Sequence, residues 1–384
     1  MKGAMPHTAR ADGPHRARVE AQPPPGPTAV RLPPRPADPH RAKLDRLVAL
    51  ARGRRRAVIV THDNPDPDSI AAGVALAWLL GELVGLETVV AYGGIVGRAE
   101  NRALIEALRL PVVPLSRVEI LPDDLLCMVD TQPEQGNHSL PAGHHPDVIV
   151  DHHPMRPASR LAPIADVGGP IGATSTVLVE YLRASGLLVP TAIATALFYG
   201  IKADTRDLGR HTTDQDVDAY LWLFPRTDKD ALGAIEHPTR PAGYFALSAL
   251  AVERARVYRG AVLVPLGRIP APDLVAEVAE RLLYLEGTGW SLAWGEYRGD
   301  LYYSVRTLDP GANAGRLIRE VIEPRGGSAG GHGSMAGAQL PARNLTRAAR
   351  ARLEREVAAA FLAASGVPAG RPRRLLPPRR TARR

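Results

Sequence analysis

The sequence predicts an α/β protein with a mostly parallel sheet, helices on both faces, and a smaller α/β domain after it. Three observations carry that expectation. From residue 57 onward, apolar runs of strand length alternate with helix-period segments, the pattern of a parallel sheet covered on both sides. The alternation breaks near 226–243, where Pro and Gly gather in DKDALGAIEHPTRPAG, and then resumes. At 384 residues the chain is long enough for two cores of ordinary size.

Taken in order, residues 1–40 have many prolines and no apolar period, so they are expected to form a disordered Pro/Arg-rich tail. AKLDRLVALARG (42–53) is an amphipathic helix with a Gly stop. The first domain, 41–225, holds the expected strands AVIVT (57–61), TVVAYG (88–93), CMVD (127–130) and DVIVD (147–151). Helices are expected at 69–85, 98–110, 174–184 and 189–203. Thr174, Ser175 and Thr176 read as capping residues, and Thr213 with Asp216 as a capping box. After the linker (226–243), the second domain, 244–365, opens with a helix at 244–258. A strand at 261–267, a helix at 272–286 and a β-hairpin at 290–308 around Arg298–Asp300 follow. The domain ends with a helix at 313–323, a Gly-rich loop at 326–337 and a helix at 346–365. Residues 366–384 read as a basic disordered tail.

The net charge is +8, but it is unevenly spread. Residues 1–56 hold 13 Lys/Arg against 4 Asp/Glu, and 366–384 hold seven arginines and no acid, so the body between them is −8. A basic balance confined to the ends allows weak RNA contact through the tails and argues against a basic groove in the body. The lone Cys127, inside the apolar run LLCMV, excludes an intramolecular disulfide and a multi-thiolate zinc site. No apolar run reaches the ~20 residues of a membrane span, and residues 1–40 lack the apolar stretch of a signal peptide. A cytoplasmic protein without a membrane partner is the expectation.

Chemistry concentrates where apolar runs end. AVIVTHDNPDPDS brings His62, Asp66 and Asp68; LLCMVDTQP brings Asp130; DVIVDHHP brings Asp151, His152 and His153; ALFYGIKADT brings Asp204. In an open parallel sheet the carboxyl ends of the strands face one crevice at the topological switch point, so these distant segments can meet. The donors are carboxylate and imidazole, which suit Mn²⁺, Mg²⁺, Co²⁺ or Fe²⁺. Four carboxylates together repel unless cations offset them. Two divalent cations about 3.5–4 Å apart would do so, and would lower the pKa of a shared water for in-line attack on phosphorus.

These four motifs, in this order, resemble the DHH phosphoesterase superfamily. The segment GGSAGGHGSMAG resembles the Gly-Gly-His loop of the C-terminal domain in its nanoRNase/pAp-phosphatase (RecJ-like) group. The resemblance covers about 45–345. It implies one cation on His62, Asp66 and Asp130 and another on Asp68, Asp130, His152 and Asp204, with Mn²⁺ foremost and Mg²⁺ or Co²⁺ as alternatives. It also implies a catalytic set of His153, Asp130 and Asp151, with His153 as phosphate donor or general acid and Asp151 orienting the histidines. Substrate would be held by His153, Arg306, Gly330, Gly331 and His332. Met335, where the family usually has Ala, and Ser328–Ala329 depart from its pattern. The implied activity is hydrolysis of small nucleotide phosphate esters: short oligoribonucleotides, pAp or linear dinucleotides. The alternatives are a pyrophosphatase or exopolyphosphatase and a noncatalytic nucleotide- or RNA-binding regulator. The sequence leaves room for a homodimer.

Overall fold

The computed structural model describes residues 39–368 and 370–376. Nearly all of the tail expected over 1–40, and residues 377–384 of the basic tail, lie outside the described residues.

The first domain runs α1 (Pro39–Ala51), β1 (Arg56–Val60), α2 (Pro67–Val84), β2 (Glu87–Tyr92), α3 (Ala99–Leu108) and β3 (Val112–Pro114). It continues through β4 (Leu125–Val129), β5 (Val148–Asp151), β6 (Ile164–Val167), α4 (Thr174–Ser185), α5 (Thr191–Asp204), α6 (Asp214–Leu223) and α7 (Lys229–Glu236). Its six strands are all parallel, in the order β3-β2-β1-β4-β5-β6. The order reverses between β1 and β4, which makes their carboxyl ends the switch point. β1 and β4 read as unbroken apolar runs because they are central and buried on both faces. On one face α2 packs against α5 through residues such as Leu76, Leu79, Leu197 and Phe198. With 18 residues and a mean hydropathy of 1.3, α2 is apolar enough to cross a membrane, but here it is a core helix and largely buried.

The second domain comprises α8 (Ala242–Arg254), β7 (Arg256–Tyr258), β8 (Gly260–Arg268), α9 (Asp273–Leu283), β9 (Thr288–Tyr297) and β10 (Asp300–Thr307). Then come α10 (Ala314–Ile322), β11 (Ser328–His332), β12 (Met335–Leu340), α11 (Arg347–Ala364) and β13 (Arg373–Arg374). Its mixed sheet has the order β11-β12-β10-β9-β8-β7-β13. α10 and α11 cover one face around Trp290, Phe361 and Ile318, and α8 and α9 cover the other around Leu247, Val264 and Val278.

Four expectations are corrected. The stretch expected as a linker contains α7, whose Ile235 is fully buried in the first core. The helix expected to 258 stops at Arg254, and Arg256–Tyr258 turns back through Gly260 (φ 88°) to pair with β8. The Gly-rich loop is a hairpin of β11 and β12, with Gly331 opposite Ala336. Arg373 and Arg374, expected in a disordered tail, pair with β7. The edge strands β3 and β6, three and four residues long, were not expected; they are too short to show a period.

Candidate metal centre

The candidate residues converge beyond the switch point. His62, Asp66 and Asp68 follow β1, Asp130 follows β4, Asp151 ends β5 with His152 and His153 directly after it, and Asp204 ends α5. Ligand atoms of His62, Asp66 and Asp130 lie within 4.8 Å of one another, and so do those of Asp68, His152 and Asp204. A third group, Asp130, Asp151, His152 and His153, meets the same criterion and links the first two. His62 Nε2 is 3.6 Å from Asp66 Oδ1 and 3.5 Å from Asp130 Oδ2. His152 Nε2 is 3.3 Å from Asp204 Oδ2 and 3.7 Å from Asp130 Oδ1. Asp130 therefore stands between the two groups.

Local backbone explains the aim of each side chain. Asp66 caps α2, its Oδ1 accepting from Ser69 N at 3.0 Å. Asp130 takes a left-handed backbone (φ 58°), an uncommon state that Asp tolerates better than most residues. Its Oδ1 accepts from the Thr174 hydroxyl at 2.8 Å. Asp68 is buried against the start of α4 and accepts from Thr174 N at 2.7 Å and Ser175 N at 2.8 Å. The helix N-terminus thus holds the Asp68 charge. This corrects the capping expectation: α4's own cap position, Ala173, makes no side-chain cap bond, and Asp68 does that work from another segment. The Thr213–Asp216 capping box is present, and Asp216 also binds Gly172 N and the Thr176 hydroxyl.

Both metal-type histidines are tied at Nδ1 to carbonyls, His62 to Asp63 at 2.9 Å and His152 to Ile171 at 3.2 Å. A donor bond there leaves the Nε2 lone pair for a cation. His152 Nε2 is buried without a well-directed hydrogen bond. His153 differs, because its Nδ1 faces Asp151 at 2.8 Å. Asp151 is fully buried and is held in turn by the Gln132 amide at 2.7 Å. Gln132 was not anticipated; its only sequence signal is the position two residues after Asp130.

Electrostatics describes a cluster built for cations. Burial raises Asp68 well above the usual carboxylate range, and Asp130, Asp204 and Asp66 raise it further. Burial likewise lifts Asp204 to about 6, with His152 opposing and Asp66 and Asp130 adding. Burial disfavours a charged His153 ring, but the Asp151 hydrogen bond and neighbouring carboxylates overcome it and raise its pKa to about 9. The donors fit hard divalent cations: carboxylate and imidazole, crowded enough to hold protons when no cation neutralises them. The single cysteine, Cys127, is buried within β4.

The expected substrate residues other than His153 lie in the second domain. Arg306 is only 6% exposed and donates to Ser304 Oγ (2.8 Å) and the Val305 carbonyl (2.9 Å). Gly330 is exposed on edge strand β11; Gly331 (φ 133°) packs so tightly that an added Cβ would lie 2.5 Å from Ala336 Cα. His332 ends β11 opposite Met335, and its side chain is outside the described set.

Fold and site define a class, a two-domain α/β protein with a histidine–carboxylate cluster at its switch point. The DHH family N-terminal domain matches residues 56–201 and the DHHA1 domain matches 260–359. The chain belongs to the DHH superfamily. It is 33% identical over 286 residues to an uncharacterized protein of Methanocaldococcus jannaschii, covering 74% of this chain and 58% of that one. It is 32% identical over 167 residues to a probable manganese-dependent inorganic pyrophosphatase of Deinococcus radiodurans, covering 43% and 52%. The chain thus spans between half and three-fifths of these relatives. Among solved structures, an exopolyphosphatase-related protein from Bacteroides fragilis shares the fold, with a TM-score of 0.65, 16% identity, and coverage of 84% of this chain and 98% of that one.

Proposed function

We propose that the protein is a two-metal-dependent phosphoesterase that hydrolyses small nucleotide phosphate esters, such as short oligoribonucleotides, pAp or linear dinucleotides. The observation that carries this reading is the meeting of two ligand groups, His62/Asp66/Asp130 and Asp68/His152/Asp204, with Asp130 between them. Those residues would hold the cations, with Mn²⁺ foremost; a pair so bound supplies Lewis acidity and activates water for attack on phosphorus. The α4 amides and Thr174 keep Asp68 and Asp130 in position without needing to move during reaction. His153, held cationic by Asp151, donates to a phosphoryl oxygen or to the leaving oxygen. Asp151 orients that ring and stabilises its charge. Arg306 and the β11–β12 hairpin, with Gly330, Gly331 and His332, would engage the rest of the nucleotide.

Turnover of a panel with Mn²⁺ tests this: pAp, pApA, a short RNA, pyrophosphate and polyphosphate. Hydrolysis of pApA or pAp well above pyrophosphate is the expected outcome. The likeness to probable pyrophosphatases favours a second reading, pyrophosphate or polyphosphate hydrolysis on the same cluster. Pyrophosphate as the preferred substrate would replace the first reading with the second.

A further inference from the structure

One buried amide braces the two strand ends that carry Asp130 and His153. Gln132 stands two residues after Asp130, and it is fully buried together with Asp151 and Ser159. Its Nε2 donates to Asp151 Oδ2 at 2.7 Å and to the Pro154 carbonyl at 3.2 Å. Its Oε1 accepts from Arg156 N and from Ser159 Oγ, both at 2.8 Å. Two donors and two acceptor sites are thus engaged, the full capacity of a primary amide. Chemistry fixes the orientation as well. Turned over, the NH₂ group would face the Arg156 N–H and the oxygen would face the Asp151 carboxylate, like against like.

The brace matters because the backbone holds Asp151 only in part. Asp130 N donates to the Val150 carbonyl and Gly168 N to the Asp151 carbonyl, each at 2.9 Å, so the chain itself is fixed there. The rotation of the Asp151 carboxylate is left to side-chain contacts. Its Oδ1 accepts from His153 N at 3.1 Å and faces His153 Nδ1 at 2.8 Å, while Oδ2 takes the Gln132 amide. The His153 ring also has a competing neighbour. Its Nδ1 lies 3.8 Å from Asp130 Oδ1, the same oxygen that His152 Nε2 faces. A rotated Asp151 carboxylate would let the ring turn toward Asp130 and engage an oxygen that the cations need.

We propose that Gln132 is a positioning residue: by clamping Asp151 Oδ2 it keeps the His153 ring on Asp151 and off Asp130, leaving His153 Nε2 for the phosphoryl group. The inference rests on the phosphoesterase reading above and adds to it a buried residue that acts through Asp151.

The test is a double-mutant cycle on the Mn²⁺-loaded full chain, with pApA as substrate. Gln132→Met removes all four hydrogen bonds at similar volume. Gln132→Glu keeps acceptors for Arg156 N and Ser159 Oγ but loses the amide donor, and serves if the Met variant does not fold. Either should lower kcat by ~10–100-fold while KM changes by less than about twofold. In a His153→Ala background the same substitution should cost less than about twofold, because the group it positions is gone. Equal losses in both backgrounds, or no loss in either, overturn the proposal. Proton NMR of the metal-free full chain, with ¹⁵N-labelled histidine, reads the bond without turnover. The His153 Nδ1 proton, assigned by its loss in His153→Ala, should stand downfield in wild type and move upfield or exchange away in the Gln132 variants. An unshifted resonance in a folded variant overturns the positioning role even where kcat falls. A resonance that responds as expected, in a wild type that hydrolyses none of the esters, sinks the phosphoesterase reading and keeps the clamp on His153.

Discussion

The carboxyl edge of the first sheet and the glycine-rich edge of the second show two ways that function is written into a chain. At the first, each chemical residue sits directly beyond an apolar run, and the parallel topology brings the run ends together. At the second, glycines that read as a loop form a hairpin in which Gly331 serves close packing between strands. Side-chain type and element position agree in the first region. In the second, one residue type serves both backbone geometry and anion approach, so composition alone does not separate the two.

The sharpest way to break the comparison is at Asp130, which stands between both ligand groups. Asp130→Asn should lower turnover by at least ~10³-fold with the fold intact, because a neutral amide cannot serve two cations. Metal analysis and circular dichroism check the two halves of that statement. Near-normal turnover at saturating Mn²⁺ would remove the shared ligand from the account.

Within one dipeptide the expected effects then diverge. His153→Ala should lower kcat by ~10²–10⁴-fold with metal content retained. His152→Ala should lose one cation, since its Nε2 faces Asp204 while His153 is bound to Asp151. Identical metal loss in both variants would show that the two rings share one role.

Much of this was legible because the signals are local. His62, Asp66 and Asp68 fall within eight residues of the end of β1, and three of the four segments follow β1, β4 and β5 while the fourth closes helix α5. What supports them was not legible. Thr174 and Ser175 look like ordinary caps in sequence; only the packing of α4 against the start of α2 turns their amides onto Asp68. Arg98 and Glu280 lie on separate domains, and no spacing rule links them. The expected linker failed for a related reason: Pro and Gly mark its ends, but Ile235 between them is buried by tertiary contact.

The charge state of the cluster sharpens the comparison through pH. Asp204, at about 6, and Asp68 have folded values above their unfolded 3.8, so the stability they contribute is full below 3.8 and is lost as pH rises through the folded value. His153, at about 9, and His62 are raised from 6.5; their contribution is full below that value and is lost as pH climbs through the folded one. Both effects run the same way, so the Tm of the EDTA-treated protein should fall by a few degrees between about pH 5.5 and about pH 8. Added Mn²⁺ should raise Tm more at the higher pH, because its ligands must be deprotonated. A metal-free Tm that rises over this interval would contradict the crowded-carboxylate account.

The smallest expected effect tests the second region, and it separates the two uses of glycine. Gly331→Ala must damage the fold, since φ is 133° and the new Cβ would lie 2.5 Å from the Met335 carbonyl. Gly330→Ala adds a methyl with nothing within 4 Å, at an exposed position without positive φ. Its effect on stability should stay within about 0.5 kcal/mol. Any loss of kcat/KM on pApA in Gly330→Ala then cannot come from a damaged hairpin. If the hairpin approaches the substrate, the methyl should reduce kcat/KM a few-fold, chiefly through KM, because it blocks close approach of an anion to the backbone. Paired measurement of Tm and kcat/KM distinguishes the cases. Unchanged Tm with reduced kcat/KM assigns the exposed glycine to substrate and the packed one to structure. Unchanged values of both make the whole glycine-rich edge a structural strand pair, and leave Arg306 to account for recognition by the second domain.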